Sequence, residues 1–173
     1  MTTGNFSAQD FAILLVRGYF GVTLALHGWN KVRSRAALEG TAGWFASIGM
    51  RNGRLSAVLA AGTEITAGVA LALGLFTPLA AAATIGVMVV ATVVAHAKNG
   101  FFIFRPGQGW EYTAAFIVVA AAIAGIGPGR YSVDHALGIT VDAWVSFLGA
   151  VVVGAVGAVA QLLVMWRPPR ENT

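Results

Sequence analysis

Five long apolar stretches dominate the chain, and short polar segments separate them. A membrane-spanning helix needs about 20 largely apolar residues, so each stretch predicts one span, with the fourth rather short. The stretches run from Phe11 to Gly28, from Leu55 to Phe76, from Leu79 to Ala97, from Tyr112 to Gly127 and from Ala143 to Trp166. Only Thr77-Pro78 separates the second stretch from the third, which predicts a tight helical hairpin.

Composition supports a lipid environment for these helices. Apolar residues make up 57% and charged residues 10% of the 173 residues, whereas a soluble domain carries about 25% charge. We therefore expect an all-α membrane protein whose apolar side chains contact the lipid bilayer. The sequence has no Cys, which excludes thiolate metal sites and iron–sulfur clusters built from this chain. Its few basic residues flank the spans, which gives no indication of nucleic-acid binding.

Basic residues are divided unevenly between the two sides of the predicted bundle. The positive-inside rule places short loops that are rich in Lys and Arg in the cytoplasm. With the N-terminus outside, nine basic residues lie on the cytoplasmic side: Lys31, Arg33, Arg35, Arg51, Arg54, Lys98, Arg105, Arg167 and Arg170. Arg130 alone falls outside, and Arg17 lies within a span. We therefore predict a multi-pass membrane protein with an outer N-terminus and a cytoplasmic C-terminus.

Two loops carry apolar and aromatic side chains. Leu38, Phe45 and Ile48 are among the apolar residues at helical spacing near 36–50, which predicts an interfacial helix, with a simple connector as the alternative. A second loop holds Phe101, Phe102, Phe104, Trp110 and Tyr112. Aromatic residues prefer the headgroup level of a membrane. An interfacial belt is therefore one interpretation of this loop, and a platform for a ligand is the other.

Arg17 and Glu64 are ionisable residues inside predicted spans. A charge at mid-span costs about 2.5–3.5 kcal/mol on insertion scales and usually faces a partner or a cavity. At about 1.5 Å per residue, Arg17 lies roughly 4 Å to the outer side of the midplane and Glu64 roughly 2 Å to the inner side. Two interpretations stay open: a buried ion pair that fixes the register of two helices, or a polar site for proton or quinone chemistry.

A second polar group is predicted near the cytoplasmic ends of the spans. His27, His96 and Glu111 each lie about 12 Å to the cytoplasmic side of the midplane, and Lys31 is one turn beyond His27. These residues are either solvated at helix ends or share a site for a polar headgroup, a quinone or a metal. We assign no metal ligand and no catalytic residue. The candidate ligand-binding residues are Arg17, Glu64, His27, Lys31, His96 and Glu111.

The fifth stretch carries small residues at four-residue spacing, namely Ala150, Gly154 and Ala158. Such spacing lets helices approach closely in a membrane. The stretch has no ionisable residue. It is therefore interpreted as an element for packing or for binding protein partners in a membrane complex.

Four segments of the chain, in order, resemble the DoxX family of small bacterial membrane proteins, which implies a location in the bacterial inner (plasma) membrane. The resemblance covers about residues 11–138. The segments are Arg17-Gly18 with His27-Gly28-Trp29-Asn30-Lys31, Glu64-Ile65-Thr66-Ala67-Gly68 with Gly74-Leu75-Phe76-Thr77-Pro78, Asn99-Gly100-Phe101-Phe102 with Gly109-Trp110-Glu111-Tyr112, and Gly127-Pro128-Gly129-Arg130-Tyr131-Ser132-Val133-Asp134.

This resemblance implies a four-helix membrane bundle in residues 1–138, to which residues 139–173 add a fifth transmembrane helix and a short cytoplasmic tail. It also implies an association with respiratory and sulfur redox chemistry. One relative forms part of a thiosulfate:quinone oxidoreductase, and other members accompany oxidative-stress proteins. The expectation is a redox-associated membrane subunit that holds a quinone or another lipophilic ligand. The alternative is a non-enzymatic anchor or assembly subunit, and whether the protein is an enzyme stays open.

Overall fold

A computed structural model describes residues 7–168; Arg170 of the predicted tail lies outside the described residues. Within this range the chain is all-helical apart from loops and one isolated bridge between Met50 and Trp166. The helices are α1 (Ala8–Val32), α2 (Arg35–Ser47), α3 (Gly53–Leu73), α4 (Thr77–Ala91), α5 (Glu111–Ile126), α6 (Val133–Ala136) and α7 (Ala143–Met165). Helix α4 continues through a π-helical turn, Thr92–His96, and a 3-10 turn, Ala97–Asn99. The all-α class predicted from the sequence is confirmed.

Four of the helices close into a bundle, and a fifth packs against it. Helix α1 contacts α3, α3 contacts α4, α4 contacts α5, and α5 returns to α1, while α7 packs on α4 and α5. The helices long and apolar enough to span a membrane are α1, α3, α7 and α4 with its continuation to Asn99. Helix α5 has 16 residues, about 24 Å of helix, against a hydrocarbon core of about 30 Å. The predicted four-helix bundle with an added fifth helix is confirmed, and α5 is its short member.

Local signals fix the hairpin between α3 and α4. Helix α3 ends at Gly74, whose positive φ of 64° is the left-handed conformation that glycine adopts without steric cost. The carboxylate of Asp134 accepts hydrogen bonds from the backbone N–H groups of Phe76 and Thr77, at 2.7 and 2.9 Å, and from the Thr77 hydroxyl at 2.7 Å. It thereby satisfies donors that a helix N-terminus leaves free. The predicted tight hairpin is confirmed, and a residue from α6 caps it.

Glycines let α1 and α3 approach at backbone distance. A Cβ added at Gly21 would lie 2.5 Å from the carbonyl oxygen of Gly68, and one at Gly68 would lie 2.6 Å from that of Gly21. One at Gly28 would lie 2.7 Å from the Ala61 oxygen. Any side chain at these positions would separate the two helices, so the glycines set their register. That register places the end of α1 beside the middle of α3.

The small residues of α7 pack inside the molecule. Ala150, Gly154 and Ala158 are buried, and a Cβ added at Gly154 would lie 2.7 Å from the Ala82 carbonyl oxygen of α4. The interpretation of this stripe as a packing element is confirmed. These three residues are buried within the same chain, and the binding of protein partners through the fifth helix stays a prediction.

The predicted helix near 36–50 is α2, which packs on α3 and buries Phe45. The segment after it pairs with the end of α7. The Arg51 N–H donates to the Met165 oxygen at 2.8 Å, and the Arg167 N–H donates to the Gly49 oxygen at 2.9 Å. We call this end of the bundle, with α2 and the C-termini of α1 and α7, the basic end. The end with α6 and the α3–α4 hairpin is the opposite end.

Candidate functional site

A cavity of about 220 Å³ lies at the basic end of the bundle. Helices α1 to α5, α7 and the loop before α5 all contribute to its wall. Its polar lining residues are His27, Lys31, Ser56, Glu64, His96, Gln108, Tyr112 and Gln161. Its apolar wall includes Trp44, Phe45, Met50, Val90 and Val94. The cavity therefore has the composition of a ligand site, which is an apolar chamber with a few convergent polar groups.

Lys31 and Glu64 form an ion pair at the wall of this cavity. Lys31 Nζ lies 2.6 Å from Glu64 Oε2, and the two side chains are 21% and 6% exposed. Lys31 Nζ also donates to the His27 carbonyl oxygen at 3.3 Å. The charge of Glu64 is thus compensated within the membrane-spanning part of the bundle by Lys31 rather than by Arg17. The ion pair between Arg17 and Glu64 considered from the sequence is not formed.

Side-chain direction explains this change of partner. In a helix the Cα–Cβ bond leans toward the N-terminus, which is the opposite end for α1 and the basic end for α3. The Lys31 side chain therefore leans from the basic end into the bundle, and the Glu64 side chain leans toward Lys31. The Arg17 side chain leans away from both. The glycine contacts also place Arg17 level with Ala72, whose oxygen it binds. Along α3 this is about 12 Å from Glu64, twice the separation estimated from the sequence.

Arg17 instead binds backbone oxygens at the opposite end. It is 1% exposed, and its guanidinium donates to the carbonyl oxygens of Pro128, Ala72 and Tyr131. Those oxygens belong to the end of α3 and to the segment between α5 and α6. The planar guanidinium presents donors in a fixed fork, so one side chain holds three backbone positions. The structure places this candidate residue outside the cavity, in a structural clamp.

Tyr112 connects the two histidines of the cavity. Its ring stacks on His27 with centroids 5.5 Å apart and meets His96 edge-on at 6.1 Å. His96 Nδ1 lies 2.9 Å from the Gln108 oxygen, which fixes the orientation of its ring. The structure therefore brings His27 and His96 to one cavity with Lys31 and Glu64. Their role as ligand-binding residues stays a prediction.

A π-helical turn borders the cavity at Thr92–His96. π-Turns are rare and often occur at functional sites. Thr92 Oγ1 lies 2.7 Å from Thr113 Oγ1 of α5, and the Thr113 hydroxyl donates to the Trp110 oxygen at 2.9 Å. The turn changes the helical phase just before His96, and this polar contact ties it to α5.

The structure differs from the sequence prediction at Glu111. Its carboxylate accepts a hydrogen bond from the Ile103 N–H at 3.1 Å and does not line the cavity. As the first residue of α5, its side chain leans back toward the preceding loop, which it holds in place. The loop aromatics divide between the two interpretations: Tyr112 lines the cavity, whereas Phe101, Phe102 and Phe104 are exposed.

Sequence reasoning missed several lining residues. Tyr112 is one of the loop aromatics, for which the sequence leaves an interfacial belt and a ligand platform open, and Gln161 is a lone polar residue in an apolar stretch. Ser56 and Gln108 gave no signal, since a single polar residue at a helix start or in a loop is common. Contact between Tyr112 and the histidines depends on the packing of α1, α4 and α5. No spacing along the chain reveals it.

An apolar groove of about 300 Å³ lies along α4. Helices α3 and α7 form its sides, and Ala60, Val87 and Gln161 line both the groove and the cavity. The groove also includes Gly157, Ala83 and Leu79 in its lining. A polar chamber and an apolar groove therefore lie next to each other within the membrane-spanning part of the molecule.

The chemistry available in the cavity is hydrogen bonding and charge compensation. Lys31, Tyr112 and Gln161 carry hydrogen-bond donors, and Glu64 is an acceptor. The two histidines can donate or accept according to their tautomer. Among residues 7–168 no group of three His, Asp or Glu side chains is arranged to hold a metal ion. The described site is therefore suited to a polar organic group.

These features define a small multi-pass helical membrane protein with a polar cavity inside its bundle. The DoxX family model matches residues 12–97, which span α1 to the π-turn and include Lys31, Glu64 and His96. The chain belongs to the DoxX family. Of the four segments that carry the sequence resemblance, the first two lie within this match and the last two lie beyond it. Neither the curated proteins nor the solved structures contain a match to the chain.

Proposed function

We propose that this protein is a redox-associated membrane subunit that binds a quinone, with its headgroup in the cavity at the basic end. The observation that carries the proposal is the cavity itself, where Lys31, His27 and Tyr112 converge against an apolar wall. A quinone headgroup is a flat, neutral ring with oxygen acceptors. Donors on a few side chains and an apolar wall are the contacts that such a ring needs.

Charge in the cavity favours a neutral ligand. Lys31 and Glu64 compensate each other at 2.6 Å, so the pair carries no net charge for an ionic headgroup to neutralise. An anionic headgroup would have to separate Lys31 from Glu64 and leave a buried carboxylate without its counter-ion, which is costly. A quinone oxygen can accept from Lys31 or Tyr112 while the ion pair stays formed.

The groove supports a ligand with a hydrocarbon tail. Its walls are mainly small or apolar side chains, and it adjoins the cavity at Ala60, Val87 and Gln161, which line both. A headgroup in the cavity would leave its tail free to lie along α4. The DoxX resemblance implies respiratory and sulfur redox chemistry, which favours a quinone over other lipids of similar shape.

We also propose that the basic end faces the cytoplasm of a bacterial cell. Lys31, Arg33, Arg35, Arg51 and Arg54 cluster around α2, whereas Arg130 and the buried Arg17 are the Lys or Arg residues at the opposite end among residues 7–168. The positive-inside rule favours this orientation. A quinone headgroup would then bind toward the cytoplasmic side of the membrane.

The test is quinone binding to protein purified in mild detergent. We expect extracted wild-type protein to contain menaquinone or ubiquinone, and added decylubiquinone to raise its thermal midpoint. Glu64→Gln and His27→Ala should weaken decylubiquinone binding by about tenfold or more, which corresponds to about 1.4 kcal/mol. Gly62→Ala is a matched control on α3, since a Cβ there meets no atom within 4 Å. Absent binding in the wild type, or equal binding in both site variants, refutes the proposal.

The alternative is a non-enzymatic anchor or assembly subunit of a membrane complex. Its support is the outer face of α7, where Val152, Val156, Val159 and Leu163 are each more than half exposed. This face is opposite the stripe that packs on α4, so it remains open to another membrane helix. Affinity purification distinguishes the two functions. A stoichiometric partner without a bound small molecule favours the anchor, and a lone protein that carries quinone favours the first proposal.

A further inference from the structure

Ser56 carries a buried hydroxyl that no group in the described chain satisfies. The residue is 1% exposed and lines the cavity. Among the side-chain atoms of residues 7–168, its Oγ is the buried oxygen left without a hydrogen-bond partner. A hydroxyl buried without a partner costs free energy, so such atoms are rare in folded proteins. An unsatisfied hydroxyl on a cavity wall indicates a contact for the molecule that fills the cavity.

The position of Ser56 relative to Glu64 restricts what that molecule is. The two residues lie eight positions apart on α3, with Ala60 between them, and all three line the cavity. Eight residues of helix separate the two Cα atoms by about 12 Å along the axis. The two side chains and a hydrogen bond of about 3 Å at each end span part of this distance, so the group between them is short. This length suits one six-membered ring with oxygens on opposite carbons, and the apolar side chains of Val90 and Val94 line the cavity beside it.

We infer that Ser56 donates a hydrogen bond to one ring oxygen of the ligand while Lys31 or Tyr112 donates to the oxygen on the opposite side of the ring. The ligand class is therefore a 1,4-quinone rather than a phenol or an ortho-quinone. This inference rests on the proposed function, since it specifies how the same cavity holds the quinone ring. It also adds to the site a residue from the first turn of α3.

Ser56→Ala tests the contact, because the change removes only the hydroxyl. We expect decylubiquinone, a 1,4-quinone, to bind about fivefold more weakly to the variant, the effect of one neutral hydrogen bond. The matching phenol, which lacks the second ring oxygen, should bind wild type and variant equally. The thermal midpoint of the ligand-free variant should equal or exceed that of the wild type, since an unsatisfied buried hydroxyl has been removed.

Thr84→Val is the matched control for loss of a buried hydroxyl. Thr84 is fully buried, its Oγ1 donates to the Ala80 oxygen at 2.8 Å, and it does not line the cavity. We expect this variant to melt at a lower temperature without a change in decylubiquinone affinity. The pair of variants therefore separates a ligand contact from a stability effect.

Three outcomes overturn the inference, and they differ from failure of the proposed function. If wild type binds decylubiquinone and Ser56→Ala binds it equally well, Ser56 is not a contact and only this inference fails. If the variant loses affinity for the phenol as much as for the quinone, the opposed-oxygen geometry is wrong. If the ligand-free variant melts earlier, the hydroxyl already has a partner in the folded protein. If wild type binds no quinone, both proposals fail.

Discussion

At the residue scale, the two members of the Lys31–Glu64 pair contribute unequally to stability. The Glu64 side chain is 6% exposed and that of Lys31 is 21% exposed, so only Lys31 retains contact with solvent if its partner is removed. We expect Lys31→Met to lower the free energy of unfolding by about 3 kcal/mol, because it leaves a buried carboxylate unpaired. Glu64→Gln should cost about 1 kcal/mol. Chemical denaturation in detergent micelles measures both.

The double variant provides the control for this asymmetry. Lys31→Met with Glu64→Gln removes both charges, so it should be more stable than Lys31→Met alone. Removing a buried charge together with its partner is much less costly than leaving one charge behind. Additive losses in the double variant would show that the two side chains do not interact, contrary to the 2.6 Å contact.

Arg17 depends on its shape as well as on its charge. Its Nε, Nη1 and Nη2 atoms each bind a different backbone oxygen, and a lysine ammonium cannot reproduce that fork. Arg17→Lys should therefore cost about 3 kcal/mol of stability, since hydrogen bonds from a charged group contribute about 1.5–3 kcal/mol each. Decylubiquinone affinity should not change. Arg35→Lys, in an exposed pair with Glu39, is the control and should change stability by less than about 0.5 kcal/mol.

Helical periodicity puts Arg17, Gly21, Leu24 and Gly28 on one face of α1, and the structure buries all four. It could not predict the partner of Glu64, because the register of α1 against α3 depends on glycine contacts between distant segments. The centres of the predicted spans located Arg17 and Glu64 along the helix axes to within about one helical turn. One turn of error is about 5 Å, enough to exchange one partner for another.

At the element scale, the attachment of α7 to the bundle depends on Gly154. A Cβ at this position would lie 2.7 Å from the Ala82 oxygen and 2.9 Å from Ile85 Cβ, which forces the helices apart. Gly154→Ala should therefore cost about 1–3 kcal/mol, the usual effect of overpacking. Thermal melting in detergent gives the change.

Gly157→Ala is the control on the same helix, because an added Cβ there meets no atom within 4 Å. Alanine is the better helix former by about 1 kcal/mol, and this effect applies at both positions. The difference between the two variants therefore isolates packing. Equal stabilities would contradict close contact between α7 and α4.

Most of the elements could be predicted from apolar length alone. The predicted stretches Leu79–Ala97 and Ala143–Trp166 lie within about two residues of the helices observed, and the Thr77-Pro78 hairpin is present. The π-turn at Thr92–His96 could not be predicted, since its residues are as apolar as those of an ordinary helix. The predicted stretch Tyr112–Gly127 likewise lies within one residue of α5, Glu111–Ile126.

At the scale of the whole molecule, the cavity is a product of assembly. Residues from six helices line it, and each of those helices is held in place by contacts made elsewhere. Glycines join α1 to α3, Gly154 joins α7 to α4, and backbone hydrogen bonds join Met165 to the segment after α2. The charged and histidine members of the site were identifiable in the sequence as polar residues near span ends. Their convergence, and the contribution of Ser56 and Tyr112, required the assembled bundle.

The orientation of the assembled molecule leads to the last prediction. The sequence contains no Cys, so single cysteines can be introduced without a background signal. Gly40→Cys lies on the exposed surface of α2 at the basic end, where an added side chain meets no atom within 4 Å. Thr140→Cys lies on the exposed segment after α6 at the opposite end.

In intact bacterial cells a membrane-impermeant maleimide should label Thr140→Cys and should label Gly40→Cys only after permeabilisation. The reverse pattern would place Lys31 and the cavity near the outer face, because the basic loops and the cavity share one end of the bundle. Labelling of both sites in intact cells would mean that the bundle does not separate the two ends across a bilayer.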